Sequence, residues 1–186
     1  CFGCGKHGDI ITFTMENEGL DFKTSIESLA NDFGIPLPKL EAKKEDIQKK
    51  NEIDLIYEMN ELACKFFESN IFMPFGKIGL EYAKKRGLTN ENIKKFRIGF
   101  AVDDFSALLN YLKSKDYKET DIEKAGLIAG SNGKTYDKFR NRVMFPVIDK
   151  RGRVIAFTGR VVDDGMPKYM NSPETLIYHK RNTLFN

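Results

Sequence analysis

From Arg140 to Thr175 the chain reads RNRVMFPVIDKRGRVIAFTGRVVDDGMPKYMNSPET, three short runs rich in Val, Ile and Phe separated by two turn signals, Asp149 to Gly152 and Asp164-Gly165. This pattern predicts a three-stranded antiparallel meander. Alternation along the middle strand puts Ile155, Phe157 and Val161 on one face and Val154, Ala156, Thr158, Arg160 and Val162 on the other, so one guanidinium is fixed on a rigid surface. Pro146 has no N–H to donate, which places the first strand at an edge or a bulge, and Gly159 leaves room for another backbone or a ligand to come close.

Upstream the apolar period lengthens to that of helices. Phe22, Ile26, Leu29, Ala30 and Phe33 mark one amphipathic helix, which must end by Ile35-Pro36-Leu37-Pro38. Lys39 to Glu52 is charged and has almost no apolar face, compatible with a solvated helix or a mobile tether. Leu55, Ile56, Met59, Leu62, Ala63, Phe66 and Phe67 then predict a second amphipathic helix between Ile53 and Asn70, with Cys64 on its apolar stripe. A further helix runs through Leu80 to Lys85 and stops at Arg86-Gly87, after which Thr89 caps another whose apolar face is Ile93 and Phe96. Asp104, in front of the apolar period of Phe105 to Leu112, is read as an N-cap rather than as half of an Asp103-Asp104 metal pair, and Asn132-Gly133 as the turn that opens the sheet.

These elements give a mixed α/β chain of the α+β class: residues 1–38 a zinc-ribbon remnant, residues 39–55 a charged linker, and residues 56–186 a helical segment packed with a small antiparallel sheet. A length of 186 residues with 41 % hydrophobic content, 15 Phe and 7 Tyr is ample for a packed core. No apolar run reaches the length of a membrane span. Three cysteines with no evident pairing scheme and no signal peptide ahead of Cys1 suit the cytoplasm, and a chain that opens inside a motif without Met reads as a fragment.

Charge changes the picture locally. From Lys134 onward there are 11 Lys and Arg against 5 Asp and Glu, whereas residues 1–133 hold 19 against 22. A basic sheet beside an acidic remainder is the footprint of a polyanion partner, with a solvated cationic face as the plainer alternative. Lys168-Tyr169 sets a cation beside an aromatic ring, the pair that holds single-stranded nucleic acid by its backbone and its bases, and Asn171 adds an amide; Tyr169 as an ordinary core strand residue is the competing reading. At the other end Cys1-Phe2-Gly3-Cys4-Gly5 is a C-x-x-C knuckle, half of a tetrahedral zinc site or a pair of reduced thiols. His7 and His179 receive no role from the pattern.

The tracts KFRNRVMFPVIDKRGRVIAFTGR and PKYMNSPET closely resemble the first part of the RNA polymerase core of bacterial DNA primases of the DnaG type. CFGCGKHGDIITFTMENEG resembles the second half of that family's zinc-binding module, and GLEYAKKRGLTNENIKKFRIGFA the helical segment that opens its core. The resemblance covers essentially the whole chain and is least specific around residues 39–55. It implies a DNA-directed RNA polymerase, a nucleotidyltransferase of the primosome that makes short RNA primers on single-stranded DNA for replication. Partners implied are the single-stranded DNA template, ribonucleoside triphosphates, and a replicative helicase bound through a C-terminal region. It puts nucleic-acid or nucleotide contacts at Arg86, Arg140, Arg142, Arg160, Lys168, Tyr169 and Asn171, although Arg86 at a helix C-terminus is equally explained by the helix dipole. It makes Cys1 and Cys4 two of four zinc ligands, so that any zinc site is incomplete in this chain. Catalytic residues are expected to be absent, because the family's Mg²⁺ or Mn²⁺ is held by a TOPRIM Glu in an EGYMD-like string and a DxD pair, neither found here. A binding module without catalysis is the alternative expectation.

Overall fold

A computed structural model describes residues 3, 5, 7–37, 44–131 and 133–183. The chain divides into two compact units, residues 1–46 and 47–186. In the first, α1 (Ile10–Glu18) and α2 (Phe22–Asp32) pack on each other, and each begins at an aspartate. Asp9 accepts from the Thr12 amide at 2.8 Å and Asp21 from the Thr24 amide at 2.8 Å, satisfying donors that a helix start leaves without partners.

Helix α3 (Lys44–Asn70) is continuous for 27 residues, so the second half of the charged stretch is helical and not a tether. Further along it, Ile56, Met59, Ala63, Cys64 and Phe67 are buried in the main core of the second unit, the place the apolar stripe predicts for Cys64. A 3₁₀ turn (Pro74–Gly76) leads into α4 (Lys77–Lys85), and α5 (Asn90–Lys95) starts at Thr89, whose hydroxyl accepts from the Asn92 amide as expected. Next come β1 (Gly99–Ala101), α6 (Ala107–Lys113) and α7 (Glu119–Lys124), then β2 (Ile128–Ser131) and β3 (Lys134–Asp137), and last β4 (Arg142–Ile148), β5 (Val154–Val161) and β6 (Tyr169–Asn171).

The meander forms as β4-β5-β6, all antiparallel, and β1 adds to the outer side of β4, giving the order β1-β4-β5-β6. Strand β4 is therefore internal where β1 covers Arg142 to Met144, and an edge beyond it, where Pro146 sits beside a register shift at Val147/Ile148. The turn at Gly133 does not open this sheet. It joins β2 and β3 into a separate two-stranded ribbon, with Asn132 outside the described residues.

Asp104 does not cap α6. Its carboxylate accepts from Ser106 N two residues on, whereas two amides in the first turn of α6, Leu108 and Leu109, donate to the two carboxylate oxygens of Asp137 at 2.7 and 2.9 Å. A cap from the end of β3 ties the ribbon to the helix, and burial pushes the Asp137 carboxyl up to about 6 against the pull of those two amides.

Two cores flank the sheet. One face, with Met144, Phe157 and Met170, packs on α3, α6 and α7; Val143 on the other packs with Ile71 just past the end of α3, and with Ala83, Ile93 and Phe100 from α4, α5 and β1. On this second face α4 covers β1 and β4. Thr158, Arg160, Tyr169 and Asn171 beside it remain half-exposed or exposed.

Candidate nucleic-acid interface

Strand parity places Arg160 opposite Tyr169, and Thr158 opposite Asn171, on the second face of the sheet. The Arg160 guanidinium lies 4.9 Å from the Tyr169 ring centroid, and its Nε donates to the Tyr82 hydroxyl on α4 at 2.9 Å. Thr158 Oγ1 donates to Asn171 Oδ1 at 2.9 Å, which orients the amide. One helical turn beyond Tyr82, Arg86 holds its guanidinium 5.5 Å from the same ring. Partial burial raises the Tyr82 phenol, but hydrogen bonds and charge from Arg160 and Arg86 outweigh it and leave the group below its ordinary value. The result is a ladder of alternating rings and guanidinium groups across α4, β5 and β6.

Tyr169 is 63 % exposed and so is not a core residue of its strand. Lys168 beside it is exposed, and its carbonyl accepts from Val161 N at 3.1 Å, which fixes the start of β6. Arg86 is exposed at the C-terminal end of α4, where favourable contact with the helix dipole and reach across Tyr82 coexist.

Arg142 sits differently. It pairs with Val161 and so shares the face of Phe157, where it is 5 % exposed and its Nη1 donates to the carbonyls of Gly159, Pro167 and Lys168. Burial, then the charge of Arg140, lowers its pKa. The close approach permitted by Gly159 is thus made by the protein itself: a Cβ there would lie 2.9 Å from Arg142 Cδ and 3.1 Å from the Phe139 ring. The buried guanidinium braces the loop that carries Lys168, and no surface contact is open to it.

Arg140 lies beyond the end of β3, its guanidinium 4.5 Å from the centroid of Phe105 and 5.1 Å from that of Tyr136, while Nη1 donates to the Asp137 carbonyl. Phe105 is 65 % exposed, so this is a second ring-and-cation surface. Sequence reasoning missed Tyr82, Phe105 and Tyr136. Tyr82 was within reach, four residues before Arg86 on a predicted helix; the Phe105–Arg140 pairing has no local signal.

Two families match the chain: CHC2 zinc finger over residues 1–45, and DNA primase catalytic core, N-terminal domain, over residues 66–186. The chain belongs to the DNA primase family. The DNA primase of Clostridium acetobutylicum is 40 % identical over 185 residues, covering 100 % of this chain and 30 % of that protein. The DnaG primase catalytic domain bound to ssDNA superposes with a TM-score of 0.70 at 38 % identity, over 73 % of this chain and 43 % of that one. The Aquifex aeolicus primase, zinc binding and RNA polymerase domains, matches 100 % of this chain and 43 % of its own at TM-score 0.61 and 32 % identity. The chain thus spans about 30 % of the length of the curated relative.

Cys1 and Cys4 lie outside the described residues, so the zinc reading rests on the family match. His7, which is described, is exposed with Nδ1 3.2 Å from the Gly5 carbonyl oxygen. Among the described residues there is no group of three or more His, Cys, Asp or Glu able to hold a metal, and no helix long and apolar enough to cross a membrane.

Proposed function

We propose that this chain is the template-handling part of a primase, binding single-stranded DNA across the exposed half of the sheet. The observation that carries the reading is the Tyr82–Arg160–Tyr169 ladder with Arg86 at its end and Lys168 and Asn171 beside it. Cations along a track hold phosphates, and exposed ring faces accept bases whatever their identity. Arg140 with Phe105 and Tyr136 supplies a second point on the same strand, while Arg142 serves by positioning the Lys168 loop. One structural relative is a primase bound to ssDNA, which supports this substrate class.

In this reading Cys1 and Cys4 give two thiolates to a zinc site, the donor chemistry of a CHC2 finger. Primer synthesis in the cytoplasm from ribonucleoside triphosphates, and contact with a replicative helicase, belong to the complete enzyme. Its Mg²⁺ or Mn²⁺ would be held by carboxylates in the part of the relatives that this chain does not span, and would stabilise the attacking and leaving oxygens.

The test is binding of a labelled oligothymidylate followed by anisotropy at several salt concentrations. The log-log slope should be about −0.7 for each phosphate contacted, with little dependence on sequence. Charge reversal at Arg160 or Lys168 should lower both affinity and slope, and reversal at Lys43 or Lys44 should matter less. Equal losses at all four positions would reduce the sheet to a generic basic surface.

A further inference from the structure

Beyond the sheet, the outer side of the second core is apolar and exposed. Phe72, Met73, Phe75, Ile78 and Phe96 are each between 44 and 58 % exposed, over a core made of Ile71, Ala83, Ile93 and Phe100. Scattered apolar residues are ordinary on a surface, but a run of this density from one turn and its neighbouring helices marks a contact site. The turn beneath the ridge is close-packed: a Cβ at Gly76 would fall 1.9 Å from the Asn70 carbonyl oxygen, so the 3₁₀ turn lies against the end of α3.

Three features define what the ridge fits. Cations accompany its rings: Lys94 Nζ is 5.8 Å from the Phe72 centroid and Lys95 Nζ is 5.7 Å from that of Phe96. Glu81, the carboxylate on the neighbouring turn of α4, lies 3.7 Å from Lys77 Nζ, so its charge is offset locally. The ridge is continuous with the sheet site, because Ile78, Tyr82 and Arg86 recur every four residues along one face of α4 and Tyr82 is the residue that holds Arg160.

We propose that this ridge extends the track, taking a further stretch of the same single strand with bases against Phe72, Phe75 and Phe96 and phosphates at Lys94 and Lys95. The inference rests on the reading of the sheet as a single-strand surface. A partner protein would use the same apolar rings, but paired ring and ammonium groups leading into a cationic ladder favour a strand of nucleic acid.

Two oligothymidylates separate the two surfaces, one of about 6 and one of about 16 nucleotides, within the range of single-strand site sizes. The full 186-residue chain should bind the longer one more tightly. The variant Phe72→Ala/Phe75→Ala/Phe96→Ala should lose about tenfold in affinity for the longer oligonucleotide and keep its affinity for the shorter. Lys94→Ala/Lys95→Ala should flatten the salt slope for the longer one alone. If thermal melting shows that the triple variant is unfolded, Phe75→Ala carries the test with a smaller loss of the same kind. Unchanged affinity for the longer oligonucleotide, with or without a change in sedimentation that would point to protein docking, overturns the proposal. If Arg160→Glu leaves the shorter oligonucleotide bound as before, the sheet reading fails instead, and the ridge is judged on the longer oligonucleotide.

Discussion

The Nε–H of Arg160 donates to the hydroxyl of Tyr82 at 2.9 Å across 78 residues of sequence, and through that one bond α4 orients the charge that β5 presents. A guanidinium on a strand has several rotamers, and a hydrogen bond from outside the strand selects among them. Tyr82→Phe keeps the ring and removes the acceptor. Single-stranded DNA should then bind about threefold more weakly, the net worth of one such bond, with the salt slope unchanged because no charge is lost. Arg160→Ala should instead lower affinity and slope together. Identical slopes in the two variants would show that Arg160 meets no phosphate.

On the single-strand reading of the sheet, Lys168 contributes charge alone, since the backbone that positions it is held by its own carbonyl. Lys168→Ala should leave thermal stability within about 0.5 kcal/mol, as expected for an exposed position, while weakening single-strand binding. Arg142→Met should do the reverse in order of size: removing a buried guanidinium that serves the carbonyls of Gly159, Pro167 and Lys168 should cost about 1–3 kcal/mol of stability, with lost binding following from a loosened β6. Urea denaturation and anisotropy on the same samples distinguish the two.

Much of this was legible in the sequence where the determinants are local. The β4-β5-β6 meander announces itself because Gly152 and Asp164-Gly165 lie between β-rich runs, and α5 because Thr89 stands where a cap must stand. Arg160 could be assigned to a face because alternation holds from Ala156 onward, but the expected faces fail before it: Ile155 is an extra residue opposite the Val147/Ile148 shift, so Val154 joins the core of Phe157 and Ile155 packs with Ala156. The place of Arg142 could not, because it depends on the register that sets it opposite Val161. Strand β1 has only three residues, too few to alternate, and exists through its pairing with Arg142 to Met144. Asp104 has a cap's sequence context and loses the position to Asp137, 28 and 29 residues from the amides it receives. Register, short strands and distant caps are tertiary facts.

Arg97 joins the end of α5 to α3 by reaching two carboxylates, Glu61 at 2.8 Å and Glu68 at 2.9 Å. All three side chains are partly exposed, so solvent screens the pairing, and Arg97→Ala should cost about 1–2 kcal/mol by removing the cation shared by two carboxylates two helical turns apart, with Lys65, 3.7 Å from Glu61, left to offset one of them. Arg97→Lys cannot make the forked contact with Glu61 and should recover only part of it. The Arg97 hydrogen bonds hold Glu61 below its ordinary value despite some burial. Its stabilising contribution is therefore present above pH 4.5 and is lost as pH falls through the folded-state value. Wild type minus Arg97→Ala stability, measured by urea titration across that range, should shrink on acidification.

Asp137 titrates with the opposite sign. Its folded-state value of about 6 lies above the ordinary 3.8 because burial disfavours the charge more than the Leu108 and Leu109 amides favour it. A raised acid binds its proton more readily in the folded chain, so its contribution is greatest below 3.8 and declines as pH rises through about 6. Asp137→Asn is fixed in the neutral form and keeps an oxygen for one of the two amides. Its stability relative to wild type should therefore increase as pH rises from 4 to 7, even though the lost second acceptor costs about 1 kcal/mol throughout. Asp137→Ala leaves both helix amides buried without partners and should cost about 2–4 kcal/mol. Urea denaturation of the three proteins at matched pH values decides the point: a wild type minus Asp137→Asn difference that grows with pH would mean the carboxylate is stabilised as an anion, and that the two amides outweigh burial.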